Sequence, residues 1–442
     1  MVLMLVLALV TIAPLAGGSP ILLEAVYAEK LGQQLLDATL ESPGALTMDV
    51  QSPALALDLM PVDNPLAAPP PVPTEFFNGN QAVANLETPS IGLALTGREG
   101  GLKNALLAAY GGTAITEGAV RAGLDWLKRN QLRDGGWSLM RPYNDGALIE
   151  SRVGATAMAL LAFQGAGNTH VQGDYQREVS RGWEFLLKRQ NGDGFFEPGE
   201  TGHNHVLYAQ AQATIALCEI FGMTKDEKFR RPAQLALNFA QKAQDPKLGG
   251  WRYRPQEDSD LSVTGWFVMA FQSGLMAGLE VPSPMLNKVS EFLDACATKE
   301  HGGSRYSYLP GRQPLPSMTA EGLLCRQYLG WKHDDPRLRQ GVDFLLRNPV
   351  NYGQQNVYYW YYATQVCHHM DGEDWDRWNK SMREAVPAAQ VKTGGERGSW
   401  PPFDDQWGPQ GGRLFTTCLS IYMLEVYYRH LPIYKWRLAS GQ

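Results

Sequence analysis

The chain has no run of lysine and arginine, and its 39 basic residues are outnumbered by 45 acidic ones, for a formal charge of −6. Without a basic stripe there is no electrostatic footprint for a phosphate backbone, so nucleic acid is excluded as a partner. Cysteine is scarce: Cys218, Cys296, Cys325, Cys367 and Cys418, with no CxxC pair. An odd number without ligand spacing argues against a disulfide framework, and four of the five fall in apolar, helix-like runs that suit buried thiols. Charged residues are only 19% of the chain, while 44% is hydrophobic, enough for a sizeable core.

A basic region ahead of the first apolar stretch is also missing. MVLMLVLALVTIAPLA carries no charge, yet it is shorter than the roughly 20 residues of a spanning helix. Ala16–Gly18 would suit a signal peptidase. Residues 1–20 are therefore expected to be a signal peptide or the end of a membrane anchor, with a buried core helix as the alternative. The first two readings put the remaining chain outside the cytoplasmic membrane, tethered through its N-terminus or exported. Residues 21–97 read as a linker, because SPALALDLMPVDNPLAAPPPVPTEFFNGN holds proline too densely for regular helix. Residues 431–442 read as a tail.

What is present between these ends is a repeat. GLDWLKRNQ, GWEFLLKRQ, LALNFAQKA, VSEFLDACA and GVDFLLRNP align on Trp126, Phe185, Phe239, Phe292 and Phe344, at intervals of 52 to 59 residues. Each is a helix with apolar residues at i, i+3 and i+4 and polar residues opposite. Glycine-rich turns with an aromatic follow: DGGW, GDGFF, LGGW, HGGSRY and GSW. Second helices come next, such as VGATAMALLAFQ, VTGWFVMAFQSGL and VYYWYYATQVCHHM, apolar nearly all round and so expected to be buried. A sixth unit has a degenerate first helix around 375–391, interrupted by Pro387. The pattern predicts an all-α domain over 98–430, with repeats from about 117: a six-repeat (α/α)6 toroid of two concentric helix layers. An open solenoid is the alternative, but it would expose a polar face on both helices.

Gln131 before Gly135-Gly136-Trp137 and Gln244 before Gly249-Gly250-Trp251, with Gln190 before Gly194-Phe195 as a third copy, resemble the repeat of the terpenoid cyclase and protein prenyltransferase α/α-toroid superfamily, which includes the squalene-hopene cyclases. The likeness covers about 117–430. This fold also hosts lyases and binding domains, so function rests on the site.

In such a ring the starts of the inner helices cluster at one mouth. The polar residues expected there are Glu150 and Arg152; His203, Asn204 and His205; Asp258 and Asp260; Glu321; Tyr358 and Tyr359; and Arg413. Each of them also suits a cap or a local ion pair. Asp258 and Asp260 precede a helix, where a carboxylate satisfies orphan N–H groups. Squalene and hopene cyclases carry an Asp-x-Asp-Asp-Thr-Ala-like motif whose middle acid protonates an alkene. The resemblance gives that place to Asp260 in Asp258-Ser259-Asp260-Leu261, with Leu261 where the third acid belongs. In the other register Ser259 replaces the donor. Trp266, Tyr358, Tyr359 and Trp360 would supply an aromatic wall for substrate, or core packing.

Prenyltransferases place an Asp-x-Cys zinc pair at the same helix start. Here Asp260-Leu261-Ser262 offers serine, a poor ligand, so neither metal nor other cofactor is expected. Asp294-Ala295-Cys296 has the right spelling on an outer helix, and no Gly-Cys-Gly-Glu-Gln-like thioester segment occurs. GHNHVLY (202–208) also resembles the Asn, His and Tyr of toroid polysaccharide lyases, with Arg152 or Arg413 to offset a uronate charge. Three functions follow: acid-initiated chemistry on an isoprenoid or other apolar substrate, with Asp260, Asp258, His205 and Glu321 as candidate catalytic groups; a non-catalytic ring binding a lipid, glycan or protein partner; and a polysaccharide lyase.

Overall fold

The computed structural model describes residues 95, 97–98, 100–199 and 205–434. The expectations for the signal or anchor, the linker to residue 94, His203, Asn204 and the tail beyond 434 lie outside the described residues. Thirteen α-helices are described: α1 Gly100–Ala109, α2 Ala114–Arg129, α3 Arg152–Gly165, α4 Gln176–Leu187, α5 Val206–Thr224, α6 Glu227–Lys242, α7 Leu261–Ala277, α8 Ser283–Cys296, α9 Pro316–Tyr328, α10 Pro336–Arg347, α11 Val357–Met370, α12 Gly372–Ala388 and α13 Gly408–Arg429.

Amphipathicity sorts these helices into layers. Outer helix α4 buries Val179, Gly182, Trp183, Phe185 and Leu186 and turns its charges outward. Inner helix α3 buries every residue after Arg152. Helix α5 is long and apolar enough to cross a membrane, but 83% of its apolar window is buried, which makes it a core helix. The inner helices pack in sequence from α3 through α5, α7, α9 and α11 to α13, and α13 packs on α3. The fold is an all-α, six-repeat toroid of two concentric layers.

Where a repeat carries the glutamine, glycine and aromatic, the three form a joint. Gln131 Nε2 donates to Gly135 O and to Glu178 O of α4, both at 2.8 Å. The Trp137 indole donates back to Leu127 O of α2 at 2.8 Å, and its backbone N–H donates to Thr156 Oγ1 of α3 at 2.9 Å. Gln244 and Trp251 repeat this, reaching Met285 O of α8 at 3.1 Å, Ala240 O at 2.8 Å and Thr264 Oγ1 at 3.0 Å. One turn thereby fastens an outer helix, the next outer helix and an inner helix.

The sixth unit corrects the expectation of a degenerate, interrupted helix. Helix α12 is regular over 17 residues, with Pro387 in its final turn. There the proline removes one hydrogen bond of the ladder and ends the helix instead of splitting it. The unit also carries a joint that the spacing concealed, because Trp400 lies ten positions after Gln390. Gln390 Nε2 donates to Gly398 O at 3.0 Å and to Ala119 O of α2 at 2.8 Å. Trp400 donates to Val386 O at 2.7 Å and Thr417 Oγ1 at 3.1 Å. The last repeat is thus fastened to the first.

At the C-terminal ends of the inner helices lies a buried ionic cluster. Glu219 takes Arg98 Nη1 at 2.7 Å and Arg429 Nη2 at 3.2 Å, and Arg429 Nη1 holds Glu425 at 3.1 Å. Burial opposes the ionised form of Glu219, yet Arg429 and Arg98 hold its carboxyl below the usual range.

The closing joint leaves no room for a side chain. Gly398 has φ 95°, and a Cβ there would lie 2.0 Å from Ala122 O of α2. Nearby Gly395 meets nothing within 4 Å. Gly398→Ala is expected to destabilise the protein by more than about 2 kcal/mol, and Gly395→Ala to be close to neutral. Urea unfolding of both variants checks this; equal midpoints would show that the seam is not tight.

Candidate acid site at the mouth of the ring

The loop before α7 folds back on itself, with Asp260 N donating to Trp251 O at 2.9 Å. Asp260 then caps the helix: its backbone is extended (φ −133°, ψ 159°), and Oδ1 accepts from Val263 N at 2.8 Å. Its other oxygen does something a cap does not require. Oδ2 accepts from Tyr308 OH at 2.8 Å, and Tyr308 OH is 2.7 Å from Tyr253 OH. Arg252 Nε stands 3.3 Å from the same oxygen, while its Nη1 pairs with Asp258. The Asp260 side chain is 0% exposed, whereas that of Asp258 is 42% exposed. Burial pushes the Asp260 carboxyl up to about 6, against the pull of Val263 N–H, Tyr308 and Arg252. One carboxyl both caps the helix and is held above the usual carboxylate range.

A second set of hydroxyls begins two residues on. Tyr208 OH donates to Ser262 Oγ at 2.8 Å, and Ser262 Oγ is 2.6 Å from Tyr358 OH. Tyr358 OH donates to Glu321 Oε2 at 3.3 Å and accepts from Tyr362 OH at 3.2 Å. Ser262 therefore belongs to a hydroxyl chain at the position where a zinc-binding relative would carry a thiolate. Trp266 stacks on Tyr361 with centroids 5.8 Å apart, and Tyr361 lies 5.6 Å from Tyr422. Helices α7 and α11 are separated by α9 in the ring order, so these aromatics meet across its centre.

The YYWYY segment divides by helical spacing. Tyr358, Tyr361 and Tyr362 share one face at i, i+3 and i+4, toward Trp266. Tyr359 and Trp360 turn away from it: Tyr359 OH donates to Asn348 O at 2.9 Å beyond α10, and Trp360 packs on Tyr352. His205 lies against Tyr253 with ring centroids 4.2 Å apart; burial and then Arg252 hold its imidazole below the usual range. Other mouth residues serve their own turns. Arg152 pairs with both oxygens of Asp134 at 2.8 Å and donates to Trp137 O at 2.7 Å. Arg413 pairs with Asp145 and donates to Ser399 Oγ at 2.9 Å. Glu150 binds Ser138 and accepts from Leu139 N at 2.9 Å. Asp294 of the Asp-Ala-Cys string pairs with Arg326.

The site thus gathers Asp258, Asp260 and His205, and Glu321 and Trp266 deeper in the ring. It adds Arg252, Tyr253 and Tyr308, which the motif reading left out. Their signal was in the repeat, since Tyr253 and Tyr308 each lie two residues beyond a turn aromatic, Trp251 and Tyr306.

Residues 102–212 match the squalene-hopene cyclase C-terminal domain family. The squalene-hopene cyclase of Bradyrhizobium diazoefficiens is 24% identical over 281 residues, 55% of this chain and 41% of that relative. The chain spans about two fifths of that relative's length. Among solved structures, an inactive variant of an α-1,6-mannanase of Salegentibacter in complex with α-1,6-mannotriose gives a TM-score of 0.50 at 11% identity, over 71% of this chain and 99% of that one. A type II terpene cyclase from Scytonema, in complex with geranylgeranyl dihydroxybenzoate, gives 0.49 at 13% identity, over 72% and 98%. The mannanase structure bears on the fold and not on the reaction. With its repeat joints and closed inner ring the chain is an α/α toroid, and over residues 102–212 it is similar to the squalene-hopene cyclase C-terminal domain.

Proposed function

We propose that the mouth at α7 is an acid site acting on an isoprenoid or other apolar substrate, with Asp260 as the group that supplies the proton. The observation that carries this reading is the divided carboxyl of Asp260: one oxygen fixed by the helix start, the other facing hydroxyls, in a buried position that holds it near 6. A carboxyl in that range carries a proton at a useful fraction of sites near neutral pH. Arg252, 3.3 Å away, stabilises the carboxylate left after transfer. The Trp266, Tyr361 and Tyr362 faces suit a developing positive charge. Leu261, where a third acid would stand, is buried, and its N–H donates to Tyr308 O at 3.0 Å. In this chain the tyrosine pair takes the place of that acid as the partner of Asp260. The apolar N-terminal segment would tether the ring to the membrane that holds such a substrate.

A second reading, a non-catalytic ring that binds a lipid, glycan or protein partner, is favoured by the aromatics that meet across the centre. The lyase reading loses support, because Arg152 and Arg413 are committed to Asp134 and Asp145.

The test is Asp260→Asn, which keeps a capping oxygen. Incubation with linear isoprenoids of increasing length and chromatography of the products should show at least about 100-fold less conversion by the variant, with a melting temperature no lower than that of the wild type. An equally active variant would return Asp260 to capping alone, and a wild-type protein that binds without converting would favour the second reading.

A pH dependence follows from the same group. Folding raises the proton affinity of Asp260, so its contribution to stability is full below the ordinary Asp range and is lost as pH rises to about 6. The loss amounts to about 3 kcal/mol. Asp260→Asn should remove that part of the slope, and parallel urea-stability profiles of the two proteins across this window would contradict the raised carboxyl.

A further inference from the structure

Another buried carboxyl, Glu321, differs from the rest in its partners: Asp245 and Asp405 accept from Ser259 Oγ and from Val357 N at the starts of α7 and α11. Glu219 and Glu425, at the C-terminal ends of the inner helices, are paired with arginines. Glu321, fully buried in α9, has hydroxyl partners. Arg326, on the same helix, is directed to Asp294 and Ser290. Tyr358 and Tyr362 face the carboxyl from α11, Asp260 acts on it from the start of α7, and Cys325 lies one turn along α9.

Helix α7 makes room for it. A Cβ at Gly265 would lie 2.1 Å from Glu321 Oε1, so the carboxyl fits only because this position has no side chain. Glycine inside a helix costs about 1 kcal/mol relative to alanine. Here the vacated space is filled by a carboxyl group. From it the hydroxyls run outward: Tyr358 at 3.3 Å, then Ser262 at 2.6 Å, then Tyr208 at 2.8 Å, whose ring is half-buried and edge-on to His205.

We infer that Glu321 is a second proton-carrying site, inside the ring, joined to the mouth by the hydroxyls of Tyr358, Ser262 and Tyr208. The bonds have the polarity this needs. Tyr208 donates to Ser262 and Tyr358 donates to Glu321, while the link between Ser262 and Tyr358 can run either way. With Ser262 donating, every O–H points toward the carboxyl, so each hydroxyl passes its proton inward and takes one from behind. One proton enters at Tyr208 and one arrives on Glu321; reversing all the bonds releases it, and every hydroxyl is neutral before and after. Burial, reinforced by Asp260, holds the Glu321 carboxyl well above the usual range. The assignment goes beyond the acid role of Asp260 and does not need it.

Infrared difference spectroscopy on the full chain tests this without a substrate. At neutral pH, wild type minus Glu321→Gln should show the carbonyl band of one protonated carboxyl. Loss of a carboxylate band instead would overturn the inference. Asp260→Asn should keep the band, and its disappearance there would reassign the proton to Asp260. On transfer to deuterated buffer, Ser262→Ala should keep the band but slow its isotopic shift by at least about tenfold. An unchanged rate would overturn the path, and this second variant carries the test if Glu321→Gln does not fold.

Discussion

The amide nitrogen of the joint glutamine decides the architecture. A primary amide has two N–H donors on one planar atom. In this protein they are divided between the chain's own turn and the first turns of the next outer helix, as Gln131 does with Gly135 O and Glu178 O. A buried or half-buried carbonyl left without a donor would cost about 1–3 kcal/mol, so a unit that carries the glutamine completes its neighbour as well as itself. The threonine of the inner helix completes the set by accepting the tryptophan backbone N–H. Stacking of units, and not the propensity of any one helix, is what makes the ring.

The site inherits its geometry from that joint. Thr264, which accepts from Trp251 N at 3.0 Å, lies four residues after Asp260, so the same contact that fastens the repeat fixes the start of α7. The position of Asp260 is therefore not free to follow a ligand. Its proton affinity comes from a conflict: burial favours the neutral acid, while the cap, Tyr308 and Arg252 favour the anion. A surface cap with the same sequence would have no such conflict.

The fold was legible because its signal is repeated. Turn aromatics, glutamines and apolar second helices recur often enough that one concealed copy, Gln390 with Trp400, did not obscure the ring. The site was legible only in part. Asp260 stood out through its neighbours in sequence, and Tyr358 through the aromatic run, but Tyr359 and Trp360 were grouped with it by adjacency when helical spacing favoured Tyr361 and Tyr362. Arg152 and Arg413 look like substrate anchors in the sequence because their partners, Asp134 and Asp145, are distant along the chain. Tyr253 and Tyr308 are joined by a contact across 55 residues, and only their equivalent places in the repeat mark them as a pair.

The hydrogen bond from Gln390 to Ala119 spans 271 positions and unites the two ends of the repeat array. A linear stack of helical hairpins frays from its termini, because its outermost units have one neighbour each. This array has no outermost unit. Every inner helix is flanked on both sides, including α3 and α13, which meet each other. The seam is thus closed by the same kind of joint as the boundaries at Gln131, Gln190 and Gln244. Chain order and spatial order are separable in such a ring: a permuted polypeptide, opened at another outer turn and joined at this seam, would retain the same set of neighbours.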